Sequence, residues 1–288
     1  MTALAHTAPM SAEATLAFLG GRAIPHVETF EAGRYTRTLR APGGPARVTL
    51  AADGTTVCCA TELTDERDLD VVIARVRHML DLDADPRAVD ALLGDDPVLA
   101  ALVAARPGLR SPGAGDGFEM AIRAVVGQQI SVSAARTILG RIAAEHGTRA
   151  FDDGVSFQLF PSAAQLAVAD PLSLPMPRSR ARTVLAVAGA CASGELSLGP
   201  DADRGREHAA LLAIPGVGPW TAGYIRMRAM GDRDVLLATD LGVRRSVRLL
   251  GADLADGRPA WAPFRSYATH HLWAAGHHRL RRVSAGAP

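Results

Sequence analysis

Residues 211–221 read Leu-Leu-Ala-Ile-Pro-Gly-Val-Gly-Pro-Trp-Thr, and the five from Pro215 to Pro219 decide how the chain on either side is folded. Two prolines and two glycines in five residues exclude a continuous helix and favour a tight turn. Upstream, His208, Leu211, Leu212 and Ile214 recur at helical spacing. Downstream, Pro219 suits a first helical turn, and Trp220, Tyr224, Ile225 and Met227 follow with similar periodicity. The segment therefore reads as helix, hairpin, helix. A glycine hairpin that opens a helix leaves amides near Val217 to Trp220 unpaired and directed outward, where no side chain hinders an anion such as a phosphate.

Gly216-x-Gly218, with Asp240 downstream, also imitates the start of a dinucleotide-binding fingerprint. Thr221 stands where that fingerprint needs its third glycine, Pro215 breaks the strand that should precede the turn, and no strand-helix alternation surrounds it.

The stretch IPGVGPWTAGY at 214–224, followed by Asp240 at the start of the next helix, resembles the helix-hairpin-helix, Gly/Pro-rich loop and Asp signature of DNA base-excision glycosylases. Ala238 stands where that loop usually carries proline. Within the superfamily the chain is most similar to the monofunctional AlkA-type enzymes, 3-methyladenine DNA glycosylases II. Further matches are ARPGLRSPG at 105–113, FEMAIRAVVGQQIS at 118–131 and FRSYATHHLWAAG at 264–276. The resemblance implies a soluble enzyme that flips alkylated bases such as 3-methyladenine out of duplex DNA and hydrolyses the N-glycosidic bond, without cutting the strand. A non-catalytic helix-hairpin-helix module that binds damaged DNA is the alternative, because such units also grip DNA without chemistry.

All 31 basic side chains are arginine, and the chain has no lysine. Arginine cannot act as an amine nucleophile, so no side chain here can form a Schiff base. Bifunctional relatives place a lysine in the hairpin, where this chain has Trp220. Net charge is +1, but its distribution is uneven: residues 1–112 carry 11 Arg against 15 acidic residues, and 113–288 carry 20 Arg against 15. The basic excess lies with the hairpin, as a phosphate-contacting half requires. Cys58, Cys59 and Cys191 include no CxxC spacing, so neither a disulfide framework nor a zinc or iron–sulfur site is indicated. No cofactor is expected. No apolar run reaches membrane-span length and the N-terminus is a poor signal peptide, which points to a monomer in the bacterial cytoplasm, associated with the nucleoid through DNA.

From the N-terminus, Ser11–Arg22 reads as a short helix, and VETF, RYTRTLR, ARVTL and TVCCAT read as antiparallel strands with a turn at Asp53-Gly54. Helices at Leu69–Leu80 and Pro97–Ala105 are expected to cover one face of that sheet. The alternating acids Asp81, Asp83 and Asp85 imitate a calcium loop but lack its glycine and its closing glutamate. A Gly/Pro-rich boundary follows Arg110, so the division expected is an α+β module at 1–112, structural in role, and an all-α helix-hairpin-helix domain at 113–288. In the second, a helix beginning at Phe118 is interrupted by Gly127 and Ser131 caps the next, which leaves Gln128-Gln129-Ile130 on an exposed bend. Pro175–Arg182 reads as a loop with a basic lip ahead of a helix at Thr183–Ala192.

The candidate site residues follow. Asp240 is the catalytic candidate, since an ionised carboxylate can stabilise oxocarbenium-like charge on the sugar or take a proton from water, and the same residue is a good helix N-cap. Trp220, Tyr224 and Trp273 coincide with the family's base-pocket positions, and an electron-rich slot favours a cationic alkylpurine by ~1–2 kcal/mol. DNA contacts are assigned to Gly216, Val217, Gly218 and Thr221 at the hairpin and to Arg244 and Arg245, with Arg248 on the same helix, and the resemblance implies a wedge that fills the stack at Gln129. The resemblance alone implies a monovalent cation on the backbone carbonyls of Leu212, Ile214 and Val217. Trp261 matches a packing position only, and His270, His271, His277 and His278 lack ligand-spaced partners and read as surface or interhelical residues rather than metal ligands.

Overall fold

A computed structural model describes residues 1–152 and 156–284, with the side chains of 152, 156 and 277–284 excepted. The N-terminal sheet is antiparallel, in the order β1 (Thr2–Ala3), β5 (Thr56–Leu63), β4 (Gly44–Asp53), β3 (Arg34–Ala41), β2 (Glu28–Glu31). Ala46, Val48 and Leu50 are buried at every second position of β4, which is the pleat period of a strand with one covered face. Helix α1 (Ala12–Gly20) and helix α2 (Leu69–Leu80) supply that cover, through Leu16, Leu19, Val72, Val76 and Met79.

The next two helices, α3 (Pro86–Gly94) and α4 (Ala100–Ala105), do not join them. The Pro97–Ala105 segment, expected on the sheet, packs through Leu99 and Val103 against Val243, Val247, Trp261 and Leu272 of the C-terminal helices. Local periodicity gives a helix its apolar stripe but not the surface that stripe meets.

The second half is built on α5 (Gly117–Val126), capped by Asp116, whose carboxylate accepts from the Glu119 amide at 2.8 Å. Met120 to Val126 apart from Arg123 is almost wholly buried, against α8 (Arg178–Ser193) and α10 (Pro219–Ala229). Ser131 caps α6 (Val132–His146) as expected, accepting from the Ala134 amide at 3.1 Å. A short hairpin, β6 (Thr148–Asp152) and β7 (Ser156–Leu159), then departs from the all-helical expectation and lies beside β3. After α7 (Ala163–Ala167), α8 begins at Arg178, five residues before the helix start read from sequence, because Pro177 at its N-cap has an extended backbone and Arg178 onward is free to coil. Helix α9 (Arg204–Ala213) leads into the hairpin, and α11 (Leu241–Leu249) and α12 (Arg265–Ser284) complete the chain. Among the described residues no helix is long and apolar enough to cross a membrane.

A buried ionic cluster joins the sheet to α5. Glu28 accepts from the Ile24 amide at 2.6 Å, from the Tyr35 hydroxyl and from Arg123 at 2.6 Å, and lies 3.4 Å from Arg37. Glu119 pairs with Arg37 at 2.8 Å and with Arg123 at 2.6 Å. Burial opposes ionisation of Glu28, but Arg123 and Arg37 outweigh it and hold the carboxyl below the usual range. Removing one charge from such a cluster leaves the others uncompensated, so Glu28→Gln is expected to cost ~3–5 kcal/mol in urea unfolding at neutral pH. Because the folded group is depressed, that loss is complete above the ordinary carboxylate range and shrinks as pH falls through the lowered range of Glu28. Unfolding curves between neutral and acid pH check both, and a pH-independent gap would assign the cost to packing.

Candidate active site

The Pro215–Pro219 hairpin joins α9 to α10 as the sequence requires. Gly216 has φ +91°, and a Cβ there would lie 2.2 Å from the Thr183 hydroxyl oxygen, so both backbone conformation and close approach demand glycine. The Thr183 hydroxyl donates to the Pro215 carbonyl at 2.9 Å, which ties α8 to the turn. Gly218 is the N-cap of α10 and offers no side-chain cap, Pro219 has no N–H, and the space beside Gly218 is open. Val217 is buried in the core and its amide, expected to be unpaired, donates to the Ile214 carbonyl at 3.0 Å, while the Thr221 hydroxyl faces inward, accepting from Gln128 at 2.8 Å; the amides left for a ligand outside begin at Gly218.

Asp240 is the N-cap of α11, its Oδ1 accepting from the Val243 amide at 2.9 Å. Two indoles share the carboxylate: Trp273 Nε1 donates to Oδ1 at 2.9 Å and Trp220 Nε1 donates to Oδ2 at 3.1 Å. Three N–H donors at the start of a helix fix the direction of the carboxylate. Trp220 stacks on Tyr224, one turn along α10, with centroids 5.3 Å apart and planes 13° apart, and Tyr224 lies 6.2 Å from Trp273. The three aromatics read from the sequence and Asp240 thus line one cleft of about 960 Å³.

Other residues that line the cleft, or pack behind its wall, had no signal in the sequence. Phe18 of α1 packs near-parallel to Trp273 at 6.2 Å, and Arg22, just beyond that helix, lies over Phe18 at 3.8 Å from its centroid. The N-terminal module therefore supplies part of the wall and is not structural alone. Arg228, one turn beyond Tyr224, donates to its hydroxyl at 3.1 Å. Burial alone would raise the Tyr224 phenol, but Arg228, Arg22 and Arg123 outweigh it and keep it below its usual value. His270 meets the Trp273 ring edge-on at 5.0 Å, and burial followed by Arg228, Arg22 and His271 holds it neutral, well below the usual imidazole range. His270 and His271 are interhelical and buried, not surface residues, while the side chains of His277 and His278 lie outside the described residues. Trp261 is fully buried at its packing position.

Across the cleft mouth, Gln129 is exposed with φ +57°, a left-handed conformation that a residue other than glycine adopts at a cost and that is often kept for function. Its neighbour Gln128 ties the bend to the hairpin, donating to the Gly216 carbonyl at 2.9 Å, and Arg180 donates to the Gln128 carbonyl at 2.9 Å. Arg244, Arg245 and Arg248 are exposed on α11, the helix that Asp240 caps.

Residues 1–116 match the family model of the AlkA N-terminal domain. Over 266 residues the chain is 34% identical to DNA-3-methyladenine glycosylase 2 of Escherichia coli K12, covering 90% of this chain and 91% of that one. The chain belongs to the AlkA family of DNA-3-methyladenine glycosylases. It is also 43% identical over 281 residues to a probable bifunctional transcriptional activator/DNA repair enzyme AlkA of Mycobacterium tuberculosis, where it covers 96% of itself but spans only 57% of that relative's length. Among solved structures, a 3-methyladenine DNA-glycosylase from Archaeoglobus fulgidus superposes with a TM-score of 0.84 at 21% identity, over 96% of this chain and 99% of that one, which shows a shared fold. In this AlkA-family chain the cap and the site coincide at Asp240, which separates two substitutions. Asp240→Ala is expected to destabilise the protein by ~1–2 kcal/mol in urea unfolding and Asp240→Asn by under ~0.5, because asparagine keeps the capping oxygen. Equal losses would mean that the α11 cap contributes little.

Proposed function

We propose that the protein is a monofunctional DNA glycosylase that extrudes alkylated purines, 3-methyladenine among them, from duplex DNA into the cleft and hydrolyses the N-glycosidic bond. The observation that carries the reading is a carboxylate held by two indole N–H groups and a helix amide inside an aromatic slot. An alkylated purine bears positive charge, so the indole and phenol faces attract it and it departs readily once the bond begins to break. As the base leaves, charge builds on the sugar, and the Asp240 carboxylate, already oriented, stabilises it electrostatically and can accept the proton of the attacking water. No separate acid is required, because the leaving base is cationic before it departs. The open amides of the hairpin and Arg244 and Arg245 would hold phosphates on either side, and Gln129 would take the place of the extruded nucleotide in the stack. The carbonyls of Leu212, Ile214 and Val217 are a donor set that suits a monovalent cation beside a phosphate; that of Ile214 accepts one hydrogen bond, from Val217 at 3.0 Å, and keeps a second lone pair. The protein is read as a monomer acting in the cytoplasm.

Release of bases from randomly methylated duplex DNA, followed by chromatography, tests this directly. The intact protein is expected to release methylated purines, and Asp240→Asn to lower the rate by on the order of 10² or more while DNA affinity is kept. Near-normal release by that variant would reduce Asp240 to a cap and move the catalysis to another residue, whereas binding without release by the intact protein would favour a binding-only module. A second expectation follows from the chain's having no lysine. Borohydride added during turnover should trap no side-chain adduct, and abasic strands should break only on heating or alkali. Strand cleavage at neutral pH by the pure protein would contradict a monofunctional mechanism.

A further inference from the structure

The cleft continues past the aromatic slot. Its volume is at the upper end of the ~300–1,000 Å³ range of sites that take whole drug-sized ligands, more than one base fills. Beyond the aromatics its lining includes Leu19, Met79 and Met120, the paired Glu28, Arg37 and Arg123, and two further guanidinium groups, Arg22 and Arg228. Arg22 donates to the Phe18 carbonyl at 3.2 Å and lies over the Phe18 ring, 6.0 Å from the Trp273 centroid. Arg228, 2% exposed, donates to the Pro112 carbonyl at 2.5 Å, the Gly113 carbonyl at 3.1 Å and the Tyr224 hydroxyl at 3.1 Å. Among the described residues neither has a carboxylate within ion-pair distance; Glu28 and Glu119 are committed to Arg37 and Arg123. Burial draws Arg22 down to about 10, still protonated at neutral pH. The largely apolar cleft therefore holds Asp240 at the aromatic slot, the mutually paired Glu28, Arg37 and Arg123, and two further guanidinium groups with no carboxylate in ion-pair contact. A buried cation without a counter-charge is costly, and an anionic group on a ligand would relieve that cost.

We propose that the cleft takes alkylated purines whose substituent ends in a carboxylate, of the carboxymethyl type, with the cationic ring between the indoles beside Asp240 and the carboxylate tail on Arg22. The proposal rests on the glycosylase reading and deepens it. Chemistry at the sugar is unchanged: water adds at the anomeric carbon, the N-glycosidic bond breaks, and its electron pair leaves with the cationic ring.

The test compares single-turnover base release from duplex DNA carrying methylpurines or carboxymethylpurines, by the intact protein, Arg22→Met and Arg22→Lys. The intact protein is expected to release the carboxymethyl bases at least as fast as the methyl ones. Arg22→Met should lower the ratio of carboxymethyl to methyl rates by on the order of tenfold or more, and Arg22→Lys should restore most of it. Methyl release with little carboxymethyl release by the intact protein, or a ratio unmoved by Arg22→Met, overturns the proposal and leaves the glycosylase reading standing. Release of neither base overturns both. Should Arg22→Met fail to fold, inhibition of the intact protein decides: free carboxymethyladenine is expected to inhibit methyl release at least tenfold more strongly than free methyladenine, and equal inhibition overturns the assignment.

Discussion

Two indole N–H groups from different helices meet on one carboxylate, and much of the C-terminal half serves to keep them there. Trp220 is delivered by α10, whose start is set by the Gly/Pro hairpin, and Trp273 by α12, which packs on α11 through Leu272, Val243 and Val247. Asp240 closes the arrangement as the N-cap of α11. A carboxylate that is at once a cap and an acceptor for two rings has little freedom to turn, and a preoriented charge needs no reorganisation as charge develops opposite it. Phe18, near-parallel to the Trp273 ring, and His270, edge-on to it, pack against Trp273 and hold its ring plane.

The ionic cluster of Glu28, Arg37, Glu119 and Arg123 gives the N-terminal sheet a part in this geometry. It seats α5 against β2 and β3, and α5 in turn sets the position of the Gln128–Gln129 bend opposite the hairpin. Gln128 then fastens that bend to Gly216 and Thr221, so bend and hairpin form one unit. A chain of direct contacts thus runs from the sheet to the cleft mouth.

How much of this the sequence discloses depends on the range of the contact. Features governed by a few neighbouring residues were legible: the hairpin, because Gly216 alone tolerates its backbone angle; the Ser131 and Asp240 caps, because a short oxygen-bearing side chain is needed there; and the aromatic face of Trp220 and Tyr224, because helical spacing places them together. Features set by distant partners were not. Phe18 and Arg22 look like any apolar and basic pair at the end of α1, and only the packing of α1 against α12 puts them in the cleft. The Pro97–Ala105 helix was recognisable but its partner was not, and β6 and β7 are too short for alternation to separate them from loop. The start of α8 was set too late, because the run of arginines after Pro177 reads as a basic lip although nothing in it opposes helix.

The central claim is that the indoles act through the carboxylate and not only as a slab for the base. Phenylalanine keeps the ring face and removes the N–H, so a double-mutant cycle isolates the link. Single-turnover release of methylated purines should be measured for Trp273→Phe, Asp240→Asn and the pair together. The account predicts that Trp273→Phe slows release about tenfold in the intact protein and adds almost nothing once Asp240 is asparagine. If the two losses multiplied, the ring and the carboxylate would be acting independently and the account would be wrong.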